Sequence, residues 1–400
     1  MSQPKYSIVL PTLNGGATLR LTLPAMLAID RDDVQWVISN NLSEDDTKEV
    51  VLGQNDKRIT YVEPPERLHH SRHLEFAYTH AAGLWQSHLG DDDITFPSRF
   101  AVLDAATEQT DAALIRGGNL RYFWHDYPND ELANRVDPAL FNGALYEMSA
   151  LDFATHQINE MVIFGGGSWV VRRDLIQRVR ERCGHFVSPR HVEFFAMRAA
   201  AAATQKVALL GLPIWILGRH GASSANQVMT PKNEQMKKDW DWSLEYPEPW
   251  RHCPFDWHAY PAISLDGALT TLEHFPEIAD HVAIDWVVWI NRVRADMERM
   301  IAAGRLPNDV RERFVQGLDR LPPAAQKAWG ERDPNDNRQE NPAGRLPIQG
   351  VYNSPRTLAL FGWPRTLHGS DVGFGSIAEL ARWVEATYPG FFAGRTVPMV

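Results

Sequence analysis

Leu84-Trp85-Gln86-Ser87-His88-Leu89-Gly90-Asp91-Asp92-Asp93 is the stretch on which the fold turns. A strand-forming run over 84–89 leads straight into three consecutive carboxylates, and a helix is predicted from about Ser98. Adjacent acids repel, and an unpaired buried charge costs several kcal/mol, so a triplet at a strand's C-terminal end points to a divalent cation. Carboxylates joined by diphosphate oxygens suit Mg2+ or Mn2+. By itself the same string also fits a solvated acidic turn.

Upstream, short β-rich runs alternate with helical patterns, the signature of a largely parallel α/β sheet that binds ligands at its strand ends. Residues 6–10 form the first predicted strand, and Pro11-Thr12-Leu13-Asn14-Gly15-Gly16 follows as a loop. Leu19, Leu23, Met26 and Leu27 mark the core stripe of a helix that Pro24 should kink or shorten. Strands are predicted at 36–39 and 59–62, with a helix over 71–82. Downstream come a strand at 112–115, a polar irregular stretch, the glycine run Gly165-Gly166-Gly167, and a helix from Arg173. An alanine-rich helix opened by Pro189, Arg190, His191 and Glu193 precedes a buried strand at 207–217.

The chain has 400 residues, 44% of them apolar and 22% charged, which excludes disordered, collagen-like and disulfide-scaffold classes. A formal charge of −10 with no local basic patch argues against a nucleic-acid partner. Cys183 and Cys253, the two cysteines, lack the close spacing of a metal knuckle and read as free thiols in the reducing cytoplasm. No secretion signal opens the chain. The apolar run at 207–217 carries Gly211 and Pro213 and falls short of the roughly 20 residues that cross a bilayer, so only peripheral membrane contact stays open.

Three strand ends, carrying Pro11-Thr12-Leu13-Asn14, then Asn40-Asn41-Leu42-Ser43-Glu44-Asp45-Asp46-Thr47, then Asp91-Asp92-Asp93, together resemble glycosyltransferase family two. The resemblance is close over 5–100 and looser to about Gln227. It implies a GT-A fold: a mostly parallel, Rossmann-related α/β sheet with helices on both faces. It also implies a nucleotide-diphosphate sugar donor and a glycan or glycoconjugate acceptor. Carried over by position, Pro11, Thr12, Asn14 and Ser43 line the nucleotide pocket, and Asn40 stands where the family has a base-reading aspartate. Asn40 departs from that pattern, and its amide both accepts and donates, so the base stays open. Arg72 faces the nucleotide or serves as an exposed cap. Asp91 and Asp92 meet the sugar or ribose. Asp93 and Asp91 hold Mn2+ or Mg2+, with His220 as a third ligand or a turn residue. Asp45 and Thr47 are expected to cap the following helix.

Inversion at the sugar needs a base for the acceptor hydroxyl. Similar enzymes carry an Asp or Glu at a downstream helix start; Glu193 fits, with His191 as the alternative, although a first-turn Glu is also what a helix dipole favours. Arg219 is placed to neutralise phosphate. Trp240, Trp242, Trp250 and Trp257 either stack on sugar or pack internally.

The expected organisation is a catalytic domain over 1–230, a Trp-rich and helical region over 231–330, a polar linker over 331–347 and a small segment over 348–400. The function implied is a metal-dependent, inverting glycosyltransferase of surface polysaccharide assembly. The alternatives are a catalytically silent nucleotide- or glycan-binding protein and a sugar nucleotidyltransferase; the latter is disfavoured because the first loop lacks a triphosphate-gripping Arg/Lys pattern.

Overall fold

A computed structural model describes residues 3–141, 143–159, 166–189, 191–221, 251–255, 257, 260–304, 306–339, 361–363 and 365–387. The first half alternates strand and helix: β1 (Tyr6–Thr12), α1 (Gly16–Leu27), β2 (Val34–Asn40), α2 (Thr47–Leu52), β3 (Ile59–Val62), α3 (His70–Thr79) and β4 (Trp85–His88). Next come β5 (Ile94–Thr95), α4 (Arg99–Gln109), β6 (Leu114–Phe123), β7 (Arg135–Val136), β8 (Ala139–Phe141), β9 (Leu145–Ser149) and α5 (Ala150–Asn159). The sheet region closes with β10 (Trp169–Arg172), α6 (Arg173–Cys183), α7 (Val192–Ala202) and β11 (Lys206–Arg219).

The sheet order is β7-β6-β10-β4-β1-β2-β3. Strands β4, β1, β2 and β3 are parallel, whereas β10 runs antiparallel to both β4 and β6. Strand β11 lies parallel to β6 and antiparallel to β5 and β9.

Period-two alternation sorts the sheet's side chains into two layers. Ile8, Leu10, Trp36, Ile38 and Ile115 face one side with Leu19, Leu23 and Met26 of α1 and Phe100 of α4. Val9, Val37, Leu114 and Val171 face the other with α3, α5, α6 and α7. Burying one tryptophan such as Trp36 removes ~150–250 Å² from water, worth about 4–6 kcal/mol before entropy at ~25 cal/mol per Å². These layers therefore hold the frame rigid beneath the loops.

Much of the stretch expected to be irregular after residue 115 is strand and helix instead, with turns over 124–134. Strand β6 continues to Phe123, and β7 to β9 and α5 follow. Gly117, Gly118 and Asn119 interrupt the apolar alternation there, and the register with β11 shifts around Pro213, so periodicity hides the strand. Helix α1 runs through Pro24 and stops at Leu27, within a turn of it.

Helices at Tyr260–His274, Trp286–Ala302, Val310–Leu318 and Pro323–Glu331 follow. Trp289, Ile290, Val293, Met297, Phe255 and Phe314 form a core of their own. Helix Ile377–Thr387 returns to the sheet: Ile377, Leu380 and Val384 join the α1 layer, and Glu385 accepts hydrogen bonds from the Ser98 backbone (2.9 Å) and hydroxyl.

Candidate active site at the strand ends

In-register pairing brings the C-terminal ends of β1, β2 and β4 to one edge, with Thr12 opposite Asn40 and Val9 opposite His88. Ligands of open parallel sheets bind there. The Thr12 hydroxyl donates to Asp91 Oδ2 at 2.5 Å, and Thr22 donates to the Asp91 carbonyl at 3.0 Å. Gly15 permits that approach, since an added Cβ would lie 2.1 Å from Asp91 Oδ2. At Gly218 an added Cβ would lie 1.8 Å from the Asp92 carbonyl, so the end of β11 closes directly on the acidic turn.

The three aspartates divide their work. Asp93 is buried, and its oxygens accept the N–H groups of Gly90 and Gly218, each at 2.8 Å. Asp92 instead faces His220, whose Nε2 lies 3.7 Å from Asp92 Oδ2 and whose ring packs beside Trp124 at 5.8 Å. Burial, then the charge of Asp92, pushes the Asp91 carboxyl up to about 6. Burial pushes Asp92 up to about 7, with Arg219 pulling the other way. Asp93 is raised well above the carboxylate range by burial and by Asp92, against the pull of its two backbone N–H groups. The turn is thus a poorly solvated nest of like charges.

Among the described residues no three His, Cys, Asp or Glu side chains stand close enough to enclose an ion. The donor set nonetheless fits an ion shared with a substrate. Asp92 and His220 face each other with Asp91 adjacent, and one or two carboxylates completed by phosphate oxygens is how Mg2+-type sites are built. Asp93, expected as the metal-binding end of the triplet, clasps the backbone with one peptide donor on each oxygen.

Asn40, expected in the nucleotide pocket, is bonded within the fold. Its Oδ1 accepts from the Ser43 N–H at 3.0 Å and the Ser43 hydroxyl at 2.5 Å, while Nδ2 donates to Tyr61 at 2.9 Å and Glu63 at 3.3 Å. With its side chain buried, Asn40 is a latch between β2 and β3. Ser43 accepts from the Asn14 N–H at 2.8 Å, and Asn14 Oδ1 accepts from the Glu44 N–H at 2.9 Å, so the first two loops are laced together. Asn14 adopts φ +55°, which its short polar side chain tolerates. Asp45 accepts from the N–H groups of Thr47 and Gly16, at 3.0 and 2.9 Å, tying the starts of α2 and α1.

The latch carries a stability prediction. Asn40→Ala strands the Ser43 N–H, so urea unfolding is expected to give a loss of about 1–3 kcal/mol. Unchanged stability with an altered preference between UDP and GDP would give Asn40 the base-reading role.

His191, the alternative base, has both ring nitrogens engaged. It is buried at the N-terminus of α7, with Nδ1 hydrogen-bonded to Ser188 Oγ at 2.8 Å and Nε2 to Asp266 Oδ2 at 2.6 Å. Neither nitrogen is available to an acceptor hydroxyl. Glu193, half-buried in the same first turn, has its carboxyl pushed up to about 7 by burial. Arg72 is exposed on the first turn of α3, and Pro11 is half-buried at the rim. Trp257 packs in the helical core. Gly165, Arg190, Trp240, Trp242 and Trp250 lie outside the described residues.

An open α/β sheet with an acidic turn at its strand ends is the class that fold and site define. Residues 7–180, somewhat under half of the chain, match the model of glycosyl transferase family 2. No curated protein matches by sequence. Among solved structures, S. aureus TarS 1–349 in complex with UDP-GlcNAc is 10% identical, over 81% of this chain and 83% of that one, with a TM-score of 0.50; it shares the fold. A mannosyltransferase from Pyrobaculum calidifontis, solved with GDP-Man and Mn2+, aligns at 16% identity over 83% of this chain and 89% of that one, with a TM-score of 0.35.

Proposed function

We propose that the protein is a metal-dependent, inverting glycosyltransferase that moves a sugar from a nucleotide-diphosphate donor to a hydroxyl of a glycan or glycoconjugate, in surface polysaccharide assembly. The observation that carries the reading is the Asp92–His220 pair beside Asp91, at the strand ends of the region that matches family 2. Asp92 and His220 would hold Mn2+ or Mg2+, with Asp91 beside them and Asp93 fixing the turn. The bound ion supplies charge neutralisation on the departing diphosphate. Thr12 orients Asp91 toward the sugar or ribose, and Pro11, Asn14 and Ser43 shape the nucleotide pocket. Arg219 lies near enough to Asp92 to lower its carboxyl, and adds positive charge where a diphosphate would sit.

In the transfer, a bond forms between the acceptor oxygen and the anomeric carbon as the bond from that carbon to the diphosphate oxygen breaks. Glu193 takes the acceptor's proton, and nucleoside diphosphate leaves. A single displacement inverts the anomeric centre. The division at 230, 330 and 347 is proposed with it, the helical region serving acceptor choice. So is a cytoplasmic location: both cysteines are buried free thiols, and no described helix is long and apolar enough to cross a membrane.

A panel of nucleotide sugars tested for thermal stabilisation with and without Mn2+ is the direct experiment, because a bound ligand raises stability by mass action. No stabilisation by any member would sink the reading. The rival, a binding protein without turnover, draws on the structural use of Asn40 and His191. Release of nucleoside diphosphate distinguishes the two.

The site also sets a pH dependence. The Asp91 and Asp92 carboxyls keep protons up to about 6 and about 7 in the fold but lose them near the usual carboxylate value when unfolded. Their contribution to metal-free stability is therefore present at acid pH and lost as pH rises through 6 to 7. A cation needs both groups deprotonated. The rise in melting temperature caused by Mn2+ is expected to be small at pH 5.5 and large at pH 8 in scanning fluorimetry; a pH-independent rise would put the ion elsewhere.

A further inference from the structure

Two carboxylates, Glu75 and Asp266, hold the segment that leads into the turn of Glu193. Glu75 of α3 accepts the Val187 N–H at 2.8 Å, the Phe186 N–H at 3.3 Å and Arg180 Nε at 2.8 Å. Asp266, fully buried on helix Tyr260–His274, accepts the N–H groups of His252 and Cys253 at 2.7 Å on Oδ1 and His191 Nε2 at 2.6 Å on Oδ2. The chain continues from His191 Nδ1 to the buried Ser188 hydroxyl at 2.8 Å.

Burial works to raise the Asp266 carboxyl, but the His191 bond, its charge and the two backbone donors outweigh it, so the net shift is down. An ionised Asp266 can only accept, so His191 Nε2 carries a proton and donates to it, while Nδ1 pairs with the Ser188 hydroxyl. The His191 carbonyl accepts the Phe194 N–H at 2.9 Å, which places Glu193 inside the turn the ring pins. The two helices also close tightly: an added Cβ at Gly267 would lie 3.2 Å from His191 Cβ, and Arg198 of α7 donates to the Ser264 hydroxyl at 2.7 Å.

We propose that Asp266, through the buried Asp266–His191–Ser188 chain, is a positioning residue for the transfer, by which the helical region outside the family 2 match sets the orientation of the Glu193 carboxylate. The inference rests on reading Glu193 as the base. It gives the helical region a part in the chemistry itself, in addition to any acceptor contact. A ring fixed at both nitrogens holds a helix start far more narrowly than a dipole preference would, and base catalysis is steeply sensitive to such placement.

The test compares wild type with Asp266→Asn, Glu193→Gln and the double variant in Mn2+-supported release of nucleoside diphosphate, using whichever nucleotide sugar the thermal panel selects. Asp266→Asn is expected to lower kcat by ~10–100-fold, the cost of a misplaced reacting group, with KM for the donor within about twofold. The double variant is expected to be no slower than Glu193→Gln alone. Ser188→Ala, which removes only the outer link, is expected to give a smaller kcat loss with the same unchanged KM, and serves if Asp266→Asn does not fold. A loss of melting temperature with kcat intact, a matching rise in KM, or multiplied losses in the double variant would overturn the proposal. A fully active Glu193→Gln would overturn the base assignment instead. An Asp266→Asn kcat loss on that background would mean that the turn orients some other group, and the inference as stated would fall with it.

Discussion

Asp92→Asn is expected to reduce metal-supported turnover by about 10²–10³-fold, the scale on which losing one charge-stabilising group acts, while making the metal-free protein more stable. Both effects have one cause. The Asp92 charge raises the carboxyls of Asp91 and Asp93, and Asp92 itself is desolvated, with His220 Nε2 3.7 Å from its Oδ2. Without a cation, neutralising Asp92 removes repulsion; with one, it removes the carboxylate that faces His220. Asp93→Asn should behave in the opposite way. An amide cannot accept at both ends, so either Gly90 or Gly218 keeps an unpaired buried N–H, at a cost of about 1–3 kcal/mol. Melting curves in EDTA and in Mn2+ read out the contrast: Asp92→Asn rises in EDTA and loses its Mn2+ response, whereas Asp93→Asn falls in both. If Asp93→Asn were the variant that kept its stability and lost the Mn2+ response, the division of labour within the triplet would be reversed.

The acidic turn was legible in sequence because its charge pattern is local: a strand followed by three acids needs no partner to be recognised. The alternating layers on either side of β1 and β2 were legible for the same reason. What sequence could not supply was direction. Asp91, Asp92 and Asp93 are equivalent as letters, and it is Gly90 and Gly218, more than a hundred residues apart, that set Asp93 apart as the backbone clasp. Asn40 shows the same limit. A residue standing at a family's base-reading position is bonded to Ser43 and Tyr61, and the tyrosine reaches it from the neighbouring strand. Asp266 carried no signal at all, since it sits among apolar helix residues in a region without family resemblance, and its meaning depends on a histidine 75 positions earlier. Gly218 and Trp124 had a faint one. A glycine next to the Arg219-His220 pair marks a place where backbone must approach another chain segment, as it does at the Asp92 carbonyl.

Glu193→Gln is expected to lower kcat by ~10²–10⁴-fold with donor affinity kept, the range that loss of a positioned general base produces. The substitution is nearly isosteric and preserves the half-buried first turn of α7, so the fold should not register it. Burial of the carboxyl, which pushes it up to about 7, suits a base that must take a proton from an alcohol and later release it. The sign follows. Turnover needs the ionised form, so kcat should climb with pH through about 7 in wild type and lose that limb in the variant. Burial also means that the neutral amide removes a desolvated charge, so Glu193→Gln should melt no lower than wild type near pH 8. Binding of nucleotide sugar with Mn2+, followed by calorimetry, should be unchanged, which separates a proton-transfer role from donor recognition. A variant that bound donor poorly, or turned it over at the wild-type rate with the same pH limb, would remove Glu193 from the reaction and leave the proton with a group outside α7.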